Sequence, residues 1–156
     1  MARGEVAKTP MAIISTPIVL SPDYRALASS VGILDSIKQA GAFQEGTPGA
    51  QTIPQLLEFG DRISYVSGKV GFNAFSNTSL EEELRRRGTK HVLVAGMVTS
   101  LCIDSTGRAA YERGLSVTIL SDCTSGRTGA EHEFYCESIF PLYARALTST
   151  QVQALT

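Results

Sequence analysis

The 156-residue chain has only three cysteines and no long apolar run, and each of these two shortages excludes a class of protein. Three cysteines without a Cys-x-x-Cys pair provide neither a disulfide scaffold nor a structural zinc site. Apolar runs such as residues 11–14 are far too short to span a bilayer. Residues 1–5 lack the apolar core of a secretory signal. We therefore expect a protein of the reducing cytoplasm that does not bind membranes.

An excess of charge of one sign is also missing. The chain carries 14 basic and 15 acidic residues, for a formal net charge of −1. This balance gives no basic surface for nucleic acid. Hydrophobic residues at 43% and charged residues at 19% are typical of a globular protein. The length fits a single domain over residues 1–156.

Short apolar strands alternate with helical segments along the second half of the chain. Residues 91–96, 116–121 and 145–148 predict strands, with helices over residues 78–88, over residues 99–114 and after Gly129. Phe134, Ile139 and Phe140 of the last helix are expected to face the core. In the first half, residues 11–16 and 62–66 predict strands and residues 32–41 a weak helix. This alternation predicts an α/β fold with parallel strands and right-handed crossovers.

A thiol follows one of these strands directly. If Thr99 caps the next helix, Cys102 is the third helical residue, where unpaired N–H groups and the helix dipole stabilise a thiolate. A thiolate attacks electrophilic carbon, whereas a thiol mostly does not, so Cys102 is a candidate nucleophile. Cysteine is also among the residue types most often buried. A structural cysteine is therefore the alternative at this position.

Two segments of the sequence resemble the isochorismatase-like cysteine hydrolases. Residues 67–78 (SGKVGFNAFSNT) resemble the lysine-bearing segment of that family, and residues 95–103 (AGMVTSLCI) resemble its nucleophile loop. The similarity runs from about residue 9 to the C-terminus. It implies a Rossmann-like three-layer αβα sandwich with a mostly parallel sheet. It also implies an Asp–Lys–Cys triad that acts on a carbonyl or amide carbon.

Carried over to this chain, the resemblance makes Cys102 the nucleophile and Lys69 the cationic group that holds thiolate and substrate. An isolated lysine is otherwise most often solvated surface. The resemblance further implies a cis peptide at or beside Val98–Thr99, which would turn backbone N–H groups, including that of Cys102, into an oxyanion hole.

Several other residues are weaker candidates. Phe72 and Phe75 are expected to line the substrate pocket or, equally, to pack beneath it, and Asn73 and Tyr24 to offer polar contacts. The nicotinamidase branch of the family binds a metal through an aspartate and histidines. The two histidines here, His91 and His132, lie far from that place in the sequence, so we expect no metal and no organic cofactor.

The triad aspartate has no counterpart in the sequence. Residues 11–16 correspond to the second strand of the family, and Glu5 before them is isolated. We therefore expect the chain to lack the first, central strand and its acid, as an N-terminally truncated member. Asp122, at the end of a strand, is a better substitute than Asp104, which faces away from Cys102.

These observations predict a cysteine hydrolase that cleaves a C–N amide or related bond of a small molecule, weakened by the missing acid. One alternative is a catalytically compromised binding or assembly protein. Another is a fragment whose remaining segment is encoded upstream. Because a missing central strand exposes sheet edges, a homo-oligomer is expected.

Overall fold

A computed structural model describes residues 11–27 and 31–155, and Glu5 lies outside them. The described residues divide into two compact units. The amino-terminal unit comprises residues 11–27, 31–71 and 76–79, and the carboxyl-terminal unit residues 72–75 and 80–155. Among these residues, no helix is both long and apolar enough to cross a bilayer. The prediction of a single domain over residues 1–156 stays a prediction.

The amino-terminal unit contains a two-stranded parallel sheet. Strand β1 (Ile13–Ser15) pairs with β2 (Ile63–Tyr65). The helices of this unit are α1 (Ile33–Gln39) and α2 (Pro54–Leu57). Short 3-10 turns cover Arg25–Leu27, Pro48–Ala50 and Gly60–Arg62. A core cluster forms around Leu20, Tyr24 and Leu27.

Tyr24 belongs to that cluster rather than to a binding surface. Its side chain is buried, and its hydroxyl donates to the Ala42 carbonyl at 2.8 Å. A buried phenol needs such a partner, because an unpaired polar group away from water costs free energy. The polar contact that sequence reasoning expected from Tyr24 is therefore already made within the protein.

The carboxyl-terminal unit contains a three-stranded parallel sheet in the order β3-β4-β5. Its elements in chain order are α3 (Leu80–Arg86), β3 (His91–Met97), α4 (Asp104–Glu112), β4 (Ser116–Ser125), α5 (Gly129–Phe134), β5 (Arg145–Leu147) and α6 (Ser149–Gln153). π-helical turns cover Thr99–Ile103 and Tyr135–Ile139, and a 3-10 turn covers Phe140–Leu142.

The β3–β4 ladder changes register near its end. Val94 pairs with Ile119, but Gly96 pairs with Thr124, so residues 120–123 of β4 oppose Ala95 alone. Extra residues in one strand bend it and increase its twist, a feature common beside functional sites. The shift lies immediately before the chain leaves β3 toward Cys102.

The α/β prediction with parallel strands is confirmed, and every described strand pairing is parallel. β3, β4 and β5 form where the apolar runs predict them. The ordered strands of the amino-terminal unit are shorter than predicted, three residues each. β3 is an edge strand of its own sheet. The absence of a central strand stays a prediction.

The prediction that Phe134 faces the core is wrong. Its side chain is 55% exposed, whereas Phe140 is completely buried. Even at 3.6 residues per turn, Phe134 and Phe140 are six positions apart and lie about 120° apart around the helix axis. They therefore do not share one narrow apolar face, and only Phe140 packs in the core. The segment also changes from α5 to the π-helical turn Tyr135–Ile139 directly after Phe134.

Helix α4 packs closely against Tyr143 at a glycine. A methyl group on Gly107 would lie 2.9 Å from the Tyr143 hydroxyl oxygen and 3.4 Å from Ile119. The Tyr143 hydroxyl donates to the Asp104 carboxylate at 3.1 Å, and the Arg108 guanidinium lies 5.0 Å from the ring centroid. Burial, with the nearby Asp104 charge, raises the pKa of Tyr143 far above its usual range.

Gly107→Ala is expected to destabilise the protein by about 1–3 kcal/mol, because the added methyl overpacks the contact with Tyr143. The better helix propensity of alanine, about 1 kcal/mol, offsets only part of this cost. Gly129→Ala in α5 is the control, because nothing lies within 4 Å of its added carbon. Urea unfolding measures both variants. Equal stability of the two would show that Tyr143 moves aside freely.

Candidate active site

The chain leaves β3 through a wide turn that carries Cys102. The peptide bond between Met97 and Val98 is cis, one bond before Val98–Thr99. Residues Thr99–Ile103, which we call the cysteine turn, then form a π-helical turn that continues directly into α4. The Val98 carbonyl accepts from the N–H groups of Leu101 and Ile103 at 3.1 and 3.2 Å. Cys102 is a free thiol, partly exposed.

The prediction that Thr99 caps the following helix is wrong. Val98 occupies the cap position and has no side-chain cap bond, while α4 begins at Asp104. Thr99 is completely buried, and its hydroxyl oxygen lies 3.0 Å from His132 Nδ1. A buried hydroxyl needs a partner, and the imidazole supplies it. Cys102 therefore lies two residues before α4, but still near the start of one continuous helical segment.

Helix α5 carries the partners of the cysteine turn. Its cap residue, Thr128, accepts the Glu131 N–H at 3.1 Å. The Ser100 hydroxyl donates to the Glu131 carboxylate at 2.5 Å, and Arg127 Nε donates to the same carboxylate at 2.8 Å. These two donors, the hydroxyl foremost, hold the pKa of the Glu131 carboxyl below its usual range.

His132, the neighbour of Glu131, makes a second link. Besides its contact with Thr99, its Nε2 lies 3.5 Å from the sulfur of Cys136. In the sequence analysis, His132 was considered only as a possible metal ligand and set aside. No spacing rule could have paired it with Thr99, because the two residues are 33 positions apart.

The other two thiols differ from Cys102 in their surroundings. Burial raises the pKa of Cys123, and the adjacent Asp122 charge adds to the shift. Burial likewise raises the pKa of Cys136, with Glu137 adding to it. Both therefore stay protonated at neutral pH, as expected of structural cysteines.

Asp122, the expected substitute for the family acid, is occupied by α6. Its carboxylate accepts the Ser149 N–H at 2.7 Å and the Ser149 hydroxyl at 2.6 Å. These bonds lower the pKa of Asp122. A general base works best with a pKa near the operating pH, so this lowering opposes such a role. Asp104 is paired with Arg108 at 3.0 Å.

Lys69 lies in the amino-terminal unit, four residues after β2. Its side chain is not solvated surface, because the residue is only 7% exposed. Within residues 11–27 and 31–155, it has no ion pair and no side-chain hydrogen bond. Long lysine side chains bury their aliphatic stem along apolar surface, so the low exposure describes the stem of Lys69 rather than an unpaired buried ammonium.

The backbone just before Lys69 requires glycine. Gly68 has a φ of +95°, and a methyl group there would lie 2.5 Å from the Asn77 carbonyl oxygen. A residue with a side chain would be strained at this φ and would also push against backbone, which yields less than a side chain does. Gly68 thus fixes the path on which Lys69 lies.

Gly68→Ala is expected to destabilise the protein by roughly 2–4 kcal/mol, the sum of left-handed backbone strain and overpacking. Gly71→Ala is the matched control on the other side of Lys69, because that glycine has ordinary φ and open space. Denaturant midpoints of the two variants decide the matter. If Gly68→Ala were as stable as Gly71→Ala, the Asn77 contact would not constrain this loop.

The expected substrate-binding residues lie in the carboxyl-terminal unit, where they hold their own segment in place. Asn73 Oδ1 accepts the Phe75 N–H at 2.9 Å, and the Phe72 carbonyl accepts from the Thr106 hydroxyl at 3.4 Å. Phe75 is buried, with the Arg113 guanidinium 4.5 Å from its ring centroid. Contact of Phe72, Asn73 or Phe75 with substrate stays a prediction.

Each of the two histidines contacts a threonine hydroxyl in the part of the chain that the structure describes. His91 Nε2 lies 2.9 Å from the Thr118 hydroxyl oxygen, and His132 is engaged as described above. In the part of the chain that the structure describes, no three His, Cys, Asp or Glu side chains are grouped as a metal site.

Comparisons with known proteins agree with this architecture. An uncharacterized isochorismatase family protein of Bacillus subtilis (strain 168), YwoC, is 29% identical over 118 residues, which cover 75% of this chain and 61% of YwoC. Nicotinamidase 3 of Arabidopsis thaliana is 26% identical over 119 residues, covering 76% and 60%. The chain thus spans about 60% of the length of these two curated relatives.

Among solved structures, an isochorismatase family protein from Desulfovibrio vulgaris subsp. vulgaris str. Hildenborough has the same fold. Its TM-score is 0.84 at 23% sequence identity, and the match covers 99% of this chain and 81% of that one. The isochorismatase domain model matches residues 7–151. Because this match takes in most of the sequence, including the cysteine turn and the Lys69 loop, the chain belongs to the isochorismatase family.

Proposed function

We propose that the protein is a cysteine hydrolase that cleaves a C–N amide or related bond of a small molecule, with Cys102 as nucleophile. The observation that carries the proposal is the placement of a partly exposed Cys102 just beyond the carboxyl end of β3. Open α/β sheets hold their ligands at that end of the strands. An amidase among the relatives, the Arabidopsis nicotinamidase, supports the reaction class.

Cys102 would attack the carbonyl carbon of the amide as a thiolate. A C–S bond forms while the carbonyl π electrons move to oxygen, and the tetrahedral intermediate then collapses as the C–N bond breaks. The leaving nitrogen takes a proton and departs as ammonia or an amine. Water then attacks the thioester, which releases a carboxylic acid and returns the thiol.

The backbone around Val98 and Thr99 is proposed to stabilise the oxyanion through its N–H groups, together with that of Cys102. Lys69 is proposed as the cationic group that favours the thiolate and orients the substrate. The low exposure of the residue supports this role, because attraction between opposite charges is stronger where little water surrounds them. No organic cofactor enters the scheme.

The proton for the leaving nitrogen would come from Lys69 or from water, since no residue matches the family aspartate. General acid–base groups typically contribute about a hundred- to ten-thousand-fold. We therefore propose that residues 1–156 alone turn over slowly relative to members of the family that have the acid.

The finer architecture is also part of the proposal: a three-layer αβα sandwich that lacks the first, central strand of the family. The position of β3 at the edge of the described three-stranded sheet supports it. The apolar run Val92-Leu93-Val94 is typical of a strand inside a sheet rather than at its edge. An open apolar edge favours pairing with another chain, so we propose a homo-oligomer.

The proposed function is tested with a panel of small primary amides and N-carbamoyl compounds, with release of ammonia as the readout. Hydrolysis of at least one compound is expected, and it should be lost when iodoacetamide labels Cys102, as mapped by peptide mass spectrometry. The control is protein incubated with iodoacetamide for too short a time to label Cys102. Hydrolysis that persists in fully Cys102-labelled protein would refute the proposal. Tight binding of panel compounds without turnover would instead indicate the binding protein.

A further inference from the structure

We propose that Glu131 and His132 of α5 are positioning residues, which hold the cysteine turn in the conformation that presents Cys102. This inference rests on the proposed function, since it concerns the same thiol. Two consecutive residues of one helix bond to two consecutive residues of the turn: Glu131 to Ser100, and His132 to Thr99. The paired links fix both the position and the rotation of the turn.

The link through His132 provides a hydrogen-bond partner for the buried hydroxyl of Thr99. Thr99 is completely buried, and His132 is its only hydrogen-bond partner recorded among the described side chains. One placement of hydrogens serves both contacts of the ring: Thr99 donates to Nδ1, while Nε2–H donates to the Cys136 sulfur. Without an acceptor at the Nδ1 position, the Thr99 hydroxyl would be left buried and unpaired, and the turn would rearrange to satisfy it.

The link through Glu131 involves a charged carboxylate, and the two residues just before α5 hold Glu131 in place. Arg127 and the cap residue Thr128 both bond to Glu131, to its carboxylate and its N–H respectively. The carboxylate thus reaches Ser100 from a fixed position, and bonds to an ionised acceptor are stronger than neutral ones. Ser100 precedes Cys102 by two residues, so a shift of this residue moves the thiol directly.

A second feature makes the turn dependent on such links. π-helical turns are rare and occur mostly as single turns within α-helices, frequently at functional sites. The cysteine turn has this form over five residues. Because the regular α-helix is the commoner arrangement, the turn would relax toward it without other restraints, which would rotate Cys102 about the helix axis. Side-chain links to α5 oppose that change.

Three substitutions of one residue separate positioning from simple packing. Asparagine places a polar atom where His132 Nδ1 lies, whereas glutamine places it where Nε2 lies, and alanine supplies neither. We expect His132→Asn to keep the alkylation rate of Cys102 by iodoacetamide within about twofold. His132→Ala and His132→Gln are expected to lower it about tenfold or more, since a rotated Cys102 moves away from the N–H groups that favour its thiolate. Glu131→Ala should act in the same direction.

Hydrogen exchange of the amides in residues 99–103 is measured on the same variants, beside the unfolding midpoint. Exchange of the turn should rise in His132→Ala but not in His132→Asn. Equal exchange and equal alkylation in these two variants would overturn the inference. A loss that merely follows the unfolding midpoint would overturn it as well. If Cys102 of the unsubstituted protein reacts no faster than Cys123, the proposed function fails, while the exchange data still decide whether α5 holds the turn.

Discussion

Cys102→Ser is expected to lower kcat/KM for any amide that the protein hydrolyses by at least about a thousandfold. Serine has nearly the same shape, but its hydroxyl stays protonated where a cysteine can ionise, so the attacking electron pair is lost. Because Cys102 is partly exposed and has no recorded side-chain bond among the described residues, folding should not suffer. The unfolding free energy is expected to change by less than about 0.5 kcal/mol.

Cys123→Ser is the matched control for this substitution. Cys123 is also a partly buried free thiol of the carboxyl-terminal unit, but it lies on β4 beside Asp122 rather than on the cysteine turn. Its variant should retain full activity. A Cys102→Ser protein that still hydrolyses amides at more than about a tenth of the parent rate would refute the nucleophile assignment.

Lys69→Met has the second largest expected effect, and activity and stability should move in opposite directions. Methionine is nearly as long and carries no charge, so it fits the space that the stem of Lys69 occupies. Replacing a largely buried charged side chain by an apolar one is often neutral or stabilising. The denaturant midpoint should therefore stay equal or rise. The rate should fall by about a hundredfold, because thiolate and oxyanion lose their cationic partner.

Lys38→Met provides the comparison within the same unit. Lys38 lies near the end of α1 and is exposed, so its loss should change neither activity nor stability by much. If Lys69→Met kept full activity while gaining stability, the lysine would be only an unfavourable packing residue. If the Lys69→Met variant lost much of its stability, the lysine would have a structural partner instead of a role in catalysis.

Local chemistry in the sequence was sufficient to predict most elements of the carboxyl-terminal unit. Continuous β-branched runs gave β3 and β4, and Gly114 ends its helix with a φ of +76°, as a glycine at that place predicts. Each of these features depends on residues within a few positions of one another, which is why a single sequence reveals them.

The features that sequence reasoning missed depend on distant residues or on unusual helical periods. The cysteine turn is a π-helical turn, which has no known residue signature, so Thr99 was assigned as an ordinary cap. The pairing of Thr99 with His132 joins residues far apart in the chain. Asp122 was the expected substitute for the family acid because of its place at the end of a strand, yet Ser149, 27 positions away, holds its carboxylate.

The burial of Lys69 is a further example, with consequences for function. Lysine on a loop after a glycine is usually solvated, and only the resemblance to the cysteine hydrolases gave it a role. The structure buries it within a loop whose backbone path requires Gly68. The spacing of residues in a sequence does not show how far a side chain is buried, because burial depends on how the rest of the chain packs around it.

The central claim, that Cys102 is an activated nucleophile, is tested most directly by the alkylation rates of the three thiols at pH 7. Iodoacetamide is added to the folded protein, and peptide mass spectrometry follows each cysteine separately. Cys123 and Cys136 are internal references, because burial raises the pKa of both. Cys102 is expected to react at least about tenfold faster than either, since the thiolate is the reacting species. A rate equal to or below theirs would contradict it.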